Sequence, residues 1–152
     1  GDCGVVAWMD GNIMKVSSQI SDVNVIANQN CKNMFNKKTN LSEIYFDNTD
    51  TSSMTNMQSM FYGCNKLQKL DLASFNTAKV TSMNNTFANC NQLKQVNVKS
   101  FNTSSVTNMN SMFSGCENLE SVDVSNFDTK NVGYMFVSCK KLTTCQALTQ
   151  AM

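Results

Sequence analysis

The chain has 152 residues, 41% of them hydrophobic, and a formal net charge of +1 at pH 7. Such a chain can bury a core, and its near-neutral charge argues against nucleic acid or an anionic membrane as partner. Histidine and arginine are missing, which removes the commonest general base and the forked side chain that grips phosphates. We therefore expect no enzyme, no cofactor and no metal site, and no segment is apolar enough to span a membrane.

Residues 1–33 are predicted to form an N-terminal cap. The opening residues lack the basic segment and the long apolar run of a signal peptide. Asp10 and Gly11 lie between two apolar runs, a pattern typical of a β-hairpin. Trp8 is expected to anchor this cap on the core, and stacking of Trp8 on a ligand is the alternative.

Residues 34–152 carry a repeat with a period of 26 residues. The period is fixed by Cys64, Cys90 and Cys116, and the last copy is three residues shorter, so that Cys139 follows 23 residues later. One unit of this length cannot bury an apolar side on its own, so the copies must stack on one another. Equivalent phenylalanines, leucines and cysteines are then expected to form ladders through a shared core.

The first half of each copy has the apolar spacing of a short amphipathic helix. Val106, Met109, Met112 and Cys116 are three or four residues apart. Thr103 is the expected N-cap of this helix. Glycine or asparagine, at Gly63, Asn89 and Gly115, is the expected left-handed residue at its end.

The second half of each copy has the alternating pattern of a strand. It is found at Leu70–Leu72, Val96–Val98 and Val122–Val124. The sequence therefore predicts an α/β fold, a solenoid of about four to five stacked coils. Short parallel strands would form one face of it and short helices the other.

The repeat resembles a known family. The pattern MFxxCxxLxxLDLxxFxTxxVxxM, from Met60 to Met83, returns with small changes downstream. It resembles the repeat of BspA-like leucine-rich repeat surface proteins of bacteria, also called DUF285, over about residues 34–147. The resemblance implies a leucine-rich-repeat-like solenoid on a secreted or surface-anchored protein that serves adhesion to host cells or matrix, and it marks no catalytic residue. Lys38 in the position of Cys64 and Thr86 in that of Met60 depart from the pattern.

The repeated cysteines are predicted to be buried, reduced thiols. Side chains on coils about 4.8 Å apart are too distant for a disulfide, and zinc sites draw on close cysteine pairs and histidine. A local bridge between Cys139 and Cys145, and the pairing of Cys3, stay open.

The outward face of the strands is the predicted binding surface. Two columns of side chains would cross it: Glu43, Lys69, Gln95, Ser121 and Thr144, and beside them Tyr45, Asp71, Asn97, Asp123 and Gln146. Variation on this face leaves the core ladders untouched. We expect a bacterial cell-surface or secreted binding module whose partner is a host or extracellular protein or glycan. A structural spacer, or an antigenically variable segment without a ligand, is the alternative.

Overall fold

The structure is a computed structural model that describes residues 5–18, 25–128 and 131–147. Its regular elements in these ranges are short strands. They are β1 (Val5–Asp10), β2 (Ile13–Ser18), β3 (Val25–Ile26), β4 (Glu43–Phe46), β5 (Thr49–Asp50), β6 (Lys69–Asp71), β7 (Gln95–Asn97), β8 (Ser121–Val124) and β9 (Thr144–Ala147).

The strands form three small sheets. One contains β1, β2 and β4, another β3 and β5, and the last runs in the order β6, β7, β8, β9. Strands β1 and β2 pair antiparallel and form the predicted hairpin, with its turn at Gly11 and Asn12, one residue later than predicted; β2 also pairs in parallel with β4. The boundary at residue 33 stays a prediction, and the side chain of Trp8 lies outside the described part of the structure.

The predicted fold class, an α/β solenoid with helices, is wrong. None of the described residues is helical, and the strands are divided among small sheets. The stretch predicted as a helix consists of consecutive turns, because two of its residues have positive φ angles, 53° at Ser59 and 69° at Gly63. A right-handed helix requires negative φ throughout, and two left-handed residues four positions apart prevent it.

The same two left-handed positions recur in every unit. They are Asn33 and Lys37, Ser59 and Gly63, Asn85 and Asn89, Ser111 and Gly115, and Tyr134 and Ser138. The left-handed conformation predicted for Gly63, Asn89 and Gly115 is thus confirmed, but each residue ends a turn and not a helix. The helix-like spacing arises because turns such as Met57 to Met60, closed by a 3.1 Å bond from Met60 N to Met57 O, also point every third or fourth residue inward.

Backbone hydrogen bonds join each unit to the next. The N–H groups of Phe61 and Gly63 donate to the carbonyls of Thr86 and Ala88, both at 2.9 Å. Isolated bridges continue this pairing from Asn30 through Asn56 and Ser82 to Asn108. Equivalent backbone positions of successive units therefore lie against each other.

Buried threonines form a second set of bonds between units. The hydroxyl of Thr77 accepts the N–H of Asn102 at 2.8 Å and donates to the carbonyl of the same residue at 3.0 Å. The Thr103 hydroxyl likewise accepts the N–H of Asp128 at 2.7 Å. The prediction that Thr103 caps a helix is therefore wrong, since its partner belongs to the following unit.

The core is built from ladders of equivalent side chains, as predicted for the phenylalanines. Neighbouring rings are stacked with centroids 5.2 to 5.6 Å apart along one ladder, which runs through Phe35, Phe61, Phe87, Phe113 and Phe136. The equivalent leucines are buried as well: Leu41, Leu67, Leu93 and Leu119. Dispersion and the hydrophobic effect therefore act between units as well as within them.

Asparagine and aspartate hold the corners of each unit. Their side-chain oxygen accepts the N–H two residues ahead, an arrangement that favours turns. The corners are Asn30, Asn56 and Asn108, then Asp50, Asn76 and Asn102, then Asp71, Asn97 and Asp123. Six of the chain's 22 asparagines thus have a structural use at these corners.

Candidate functional site

The repeated thiols lie inside the stack. Cys64, Cys90 and Cys116 are buried and free, in agreement with the prediction. Each donates to the phenylalanine carbonyl of the preceding unit, as Cys90 does to Phe61 O at 3.1 Å. Burial raises the pKa of Cys64 to about 11 and that of Cys90 well above its usual range. These thiols therefore stay protonated near neutral pH and have little nucleophilic character.

The last unit keeps the same thiol arrangement with less burial. The Cys139 thiol donates to Phe113 O at 3.2 Å. The side chain of Cys145 and all of Cys3 lie outside the described part of the structure, so the bridge between Cys139 and Cys145 stays untested. Across residues 5–18, 25–128 and 131–147, no group of three or more His, Cys, Asp or Glu side chains is placed to hold a metal ion.

The predicted outward columns are divided between two sheets. Strands β6 and β7 pair Lys69 with Gln95 and Asp71 with Asn97, and β7 pairs Gln95 with Ser121. Thr144 and Gln146 follow in register on β9, opposite Ser121 and Asp123, although their side chains lie outside the described part. Glu43 and Tyr45 belong to β4, which pairs with β2.

In the outward column that contains Asp71, Asn97 and Asp123, these side chains stabilise turns. Oδ1 of Asp71 accepts the N–H of Ala73 at 3.0 Å, and Oδ1 of Asn97 accepts that of Lys99 at 3.3 Å. Asp123 accepts both the Ser125 hydroxyl at 2.7 Å and its N–H at 3.1 Å. These two bonds hold the pKa of the Asp123 carboxyl below its usual range.

Tyr45 and Glu43 form an exposed pair on β4. The Tyr45 hydroxyl donates to Oε2 of Glu43 at 2.6 Å. This bond and the charge of the carboxylate raise the pKa of Tyr45. Tyr45 is 48% exposed, so this residue is accessible to a ligand.

A groove of about 680 Å³ lies at the seam between β4 and β6. It brings together four of the predicted contact residues, namely Glu43, Tyr45, Lys69 and Asp71. Sequence reasoning missed other residues that line this seam groove, among them Ser42, Phe46, Asp47, Gln68 and Ser74. A shallower groove of about 580 Å³ covers β6, β7 and β8, where the outward residues from Lys69 to Asp123 line it.

Phe46 departs from the repeat pattern beside the seam. Phe46 stands where the following units have Leu72, Val98 and Val124, while Thr49 stands where they have a phenylalanine. The Phe46 ring meets Phe75 edge-on, with centroids 4.9 Å apart and 74° between the planes. The aliphatic and aromatic positions of the repeat are thus exchanged in the unit that borders the seam groove, a departure that the sequence itself shows.

A family model matches most of the chain. The model, described as "Mycoplasma protein of unknown function, DUF285", matches residues 6–97 and again residues 68–150. The chain belongs to the DUF285 family. No curated protein and no solved structure matches this DUF285 chain. Its described residues include no helix that could cross a membrane.

Proposed function

We propose that this DUF285 protein is a non-enzymatic binding module, displayed on a bacterial cell surface or secreted. Its partner would be a host or extracellular protein or glycan, and its contact surface the seam groove with the adjoining strand face. We also propose that it is one of the BspA-like surface proteins, on the strength of the repeat pattern from Met60 to Met83. Nucleic acid is not the proposed partner, because the net charge is only +1.

The seam groove is the observation that carries this proposal. Four outward side chains that the sequence singles out, Glu43, Tyr45, Lys69 and Asp71, line one concave surface. Concave surfaces with a half-exposed aromatic ring and a few polar groups are typical binding sites. The core ladders lie on the inner side of the strands, so these four positions can vary without disturbing them.

Size limits the affinity that this surface can supply. Short strands spaced about 4.8 Å apart offer roughly 250 to 400 Å², against about 800 Å² per partner in a standard interface. A single copy should therefore bind weakly. Many copies displayed together would gain affinity through avidity, without new contacts.

A spacer without its own ligand is the second candidate. It is favoured by the turn bonds of Asp71, Asn97 and Asp123, which give these outward residues a structural role that needs no ligand. A spacer would bind nothing even when presented in many copies.

Binding of a multivalent form of the protein to host cells, matrix proteins and glycan arrays tests the proposal. The variant Tyr45→Ala/Lys69→Ala/Asp71→Ala should lose binding. The matched control Lys32→Ala/Lys66→Ala/Gln92→Ala changes exposed residues outside the seam groove and should bind like the native protein. Unchanged binding by the first variant would place the contact surface elsewhere, and no binding by the native protein would favour the spacer.

A further inference from the structure

The seam between β4 and β6 lacks hydrogen bonds that are present between the next two units. Between the next two units, the N–H groups of Lys94 and Gln95 donate to Gln68 O at 2.8 and 3.4 Å, and the Ser100 hydroxyl donates to Leu72 O at 3.1 Å. The equivalent acceptors at the seam are the carbonyls of Ser42 and Phe46. Among the described residues, neither of them receives the corresponding bond.

The carbonyls of Ser42 and Phe46 therefore belong to a groove and not to a sheet ladder. Both residues line the seam groove. A carbonyl that a neighbouring strand leaves unpaired is an acceptor for a ligand that carries hydrogen-bond donors.

The charged side chains of the seam groove are mainly acidic. Glu43, Asp47 and Asp71 contribute three carboxylates, against the single ammonium group of Lys69. Each of these four side chains belongs to an exposed residue. Charge complementarity favours a cationic occupant and disfavours sulfated or sialylated glycans.

Tyr45 adds an aromatic surface to these acceptors. Its bond to Glu43 at 2.6 Å restrains the ring, and nearly half of the residue's surface is exposed. A cation over the face of a tyrosine ring is attracted by the ring quadrupole. Residues that carry carboxylates, unpaired carbonyls and an aromatic ring thus line one groove.

We infer that the seam groove binds an arginine side chain presented by a partner protein. The guanidinium group has five donors in a planar fork, pairs with carboxylates through two bonds and stacks on aromatic rings, whereas lysine offers a single strongly hydrated charge. The chain itself has no arginine, so a second copy cannot supply this group. The inference rests on the proposed function and names the chemistry of its partner.

Titration of the isotopically labelled full chain with N-acetyl-arginine methylamide, followed by backbone amide NMR shifts, tests this inference. Saturable shifts are expected at Tyr45, Lys69 and Asp71, with none at Lys32 on the surface outside the seam groove. The lysine analogue should bind more weakly, and the neutral isostere N-acetyl-citrulline methylamide should not bind. Equal shifts with arginine and citrulline, or shifts confined to other regions, would overturn the inference.

Two variants sharpen the test. Asp71→Asn keeps an oxygen for the turn bond to Ala73 and removes one charge, so it should fold and bind the arginine probe about tenfold more weakly. Lys69→Ala removes the repelling cation and should bind it a few-fold more tightly. Asp71→Asn with native affinity for the probe and an intact amide spectrum would contradict the inference.

The outcomes for the inference and for the proposed function are separable. If host-cell binding depends on Tyr45, Lys69 and Asp71 but the arginine probe produces no shifts, the binding module stands and its partner chemistry is another. If the arginine probe binds in the groove but cells, matrix proteins and glycans do not, the inference stands and the adhesive role fails.

Discussion

The rings of Phe87 and Phe113 stack with centroids 5.2 Å apart and planes 12° from parallel, although 26 residues separate them in the chain. Both are fully buried. Phe87 also stacks on Phe61 on its other side, with centroids 5.6 Å apart. Each inner ring of this ladder therefore holds two neighbouring units together.

Removing an inner ring of the phenylalanine ladder should lower the free energy of unfolding more than removing a terminal ring. Phe87→Ala is expected to lower the free energy of unfolding by about 3 to 5 kcal/mol, the cost of truncating a buried phenylalanine. Phe136 is only half-buried and stacks on Phe113 from the last unit, so Phe136→Ala should cost clearly less. Urea unfolding followed by circular dichroism measures both, and equal losses would contradict the ladder.

Alanine at the repeated glycines distinguishes turns from helices. Gly63 has φ of 69° and its added Cβ would meet only Lys37 at 3.4 Å, so Gly63→Ala should cost about 1 to 2 kcal/mol through backbone strain. At Gly115, with φ of 76°, the Cβ would also overlap the side chain of Asn89, so Gly115→Ala should cost more. In a helix interior both substitutions would stabilise the protein, by up to about 1 kcal/mol. A rise in the urea midpoint of either variant would therefore favour the helix.

The strands could be predicted because the alternation of apolar and polar residues recurs there with the 26-residue period of the repeat. Leu70 to Leu72, Val96 to Val98 and Val122 to Val124 mark β6, β7 and β8, and the period of 26 sets which residues meet. Burial of the repeated phenylalanines, leucines and cysteines follows from the same period. These features depend on patterns that recur along one chain.

The helix prediction failed because a spacing of three and four residues also arises from consecutive turns. Glycine and asparagine mark some left-handed positions, but serine holds this conformation at Ser59 and Ser111, and serine has no such preference. Hydrogen bonds to the next unit stabilise these backbones, and a local pattern does not contain that information.

The candidate site was predicted in part. Glu43, Tyr45, Lys69 and Asp71 were singled out, but as members of continuous columns. The interruption between β4 and β6 was not predicted, because the alternating pattern continues across it; the structure shows the division into two sheets beside the contact of Phe46 with Phe75. The turn bond of Asp71 to Ala73 likewise needed the three-dimensional structure.

The Thr77 hydroxyl should contribute more to the free energy of unfolding than its methyl group does. Thr77→Val keeps the shape but leaves the N–H and the carbonyl of Asn102 without this partner, at an expected cost of about 1 to 3 kcal/mol. Thr77→Ser keeps the hydroxyl and loses one methyl group, at about 1 kcal/mol. Chemical denaturation compares the two variants. A larger loss for the serine variant would show that packing, and not the bond to Asn102, fixes this position.

Stability should fall at high pH because of the buried thiols. The pKa of Cys64 is raised from 9.0 to about 11 by burial, so the folded state holds this proton more tightly than the unfolded state. Its contribution is complete below pH 9 and is lost as the pH rises towards 11, by roughly 2 to 3 kcal/mol. Cys64→Ala lacks this titration, so its free energy of unfolding should fall less over the same interval. Parallel pH profiles of the two proteins in urea unfolding would contradict this assignment.

Scalar couplings through hydrogen bonds, measured by NMR on the labelled protein, test the stacking of units most directly. The account predicts that the Ser59 N–H couples to the carbonyl of Asn84 and the Phe61 N–H to that of Thr86, across bonds of 3.0 and 2.9 Å. Coupling of the Phe61 N–H to the carbonyl of Met57, four residues earlier, would instead reveal a helix and contradict the account.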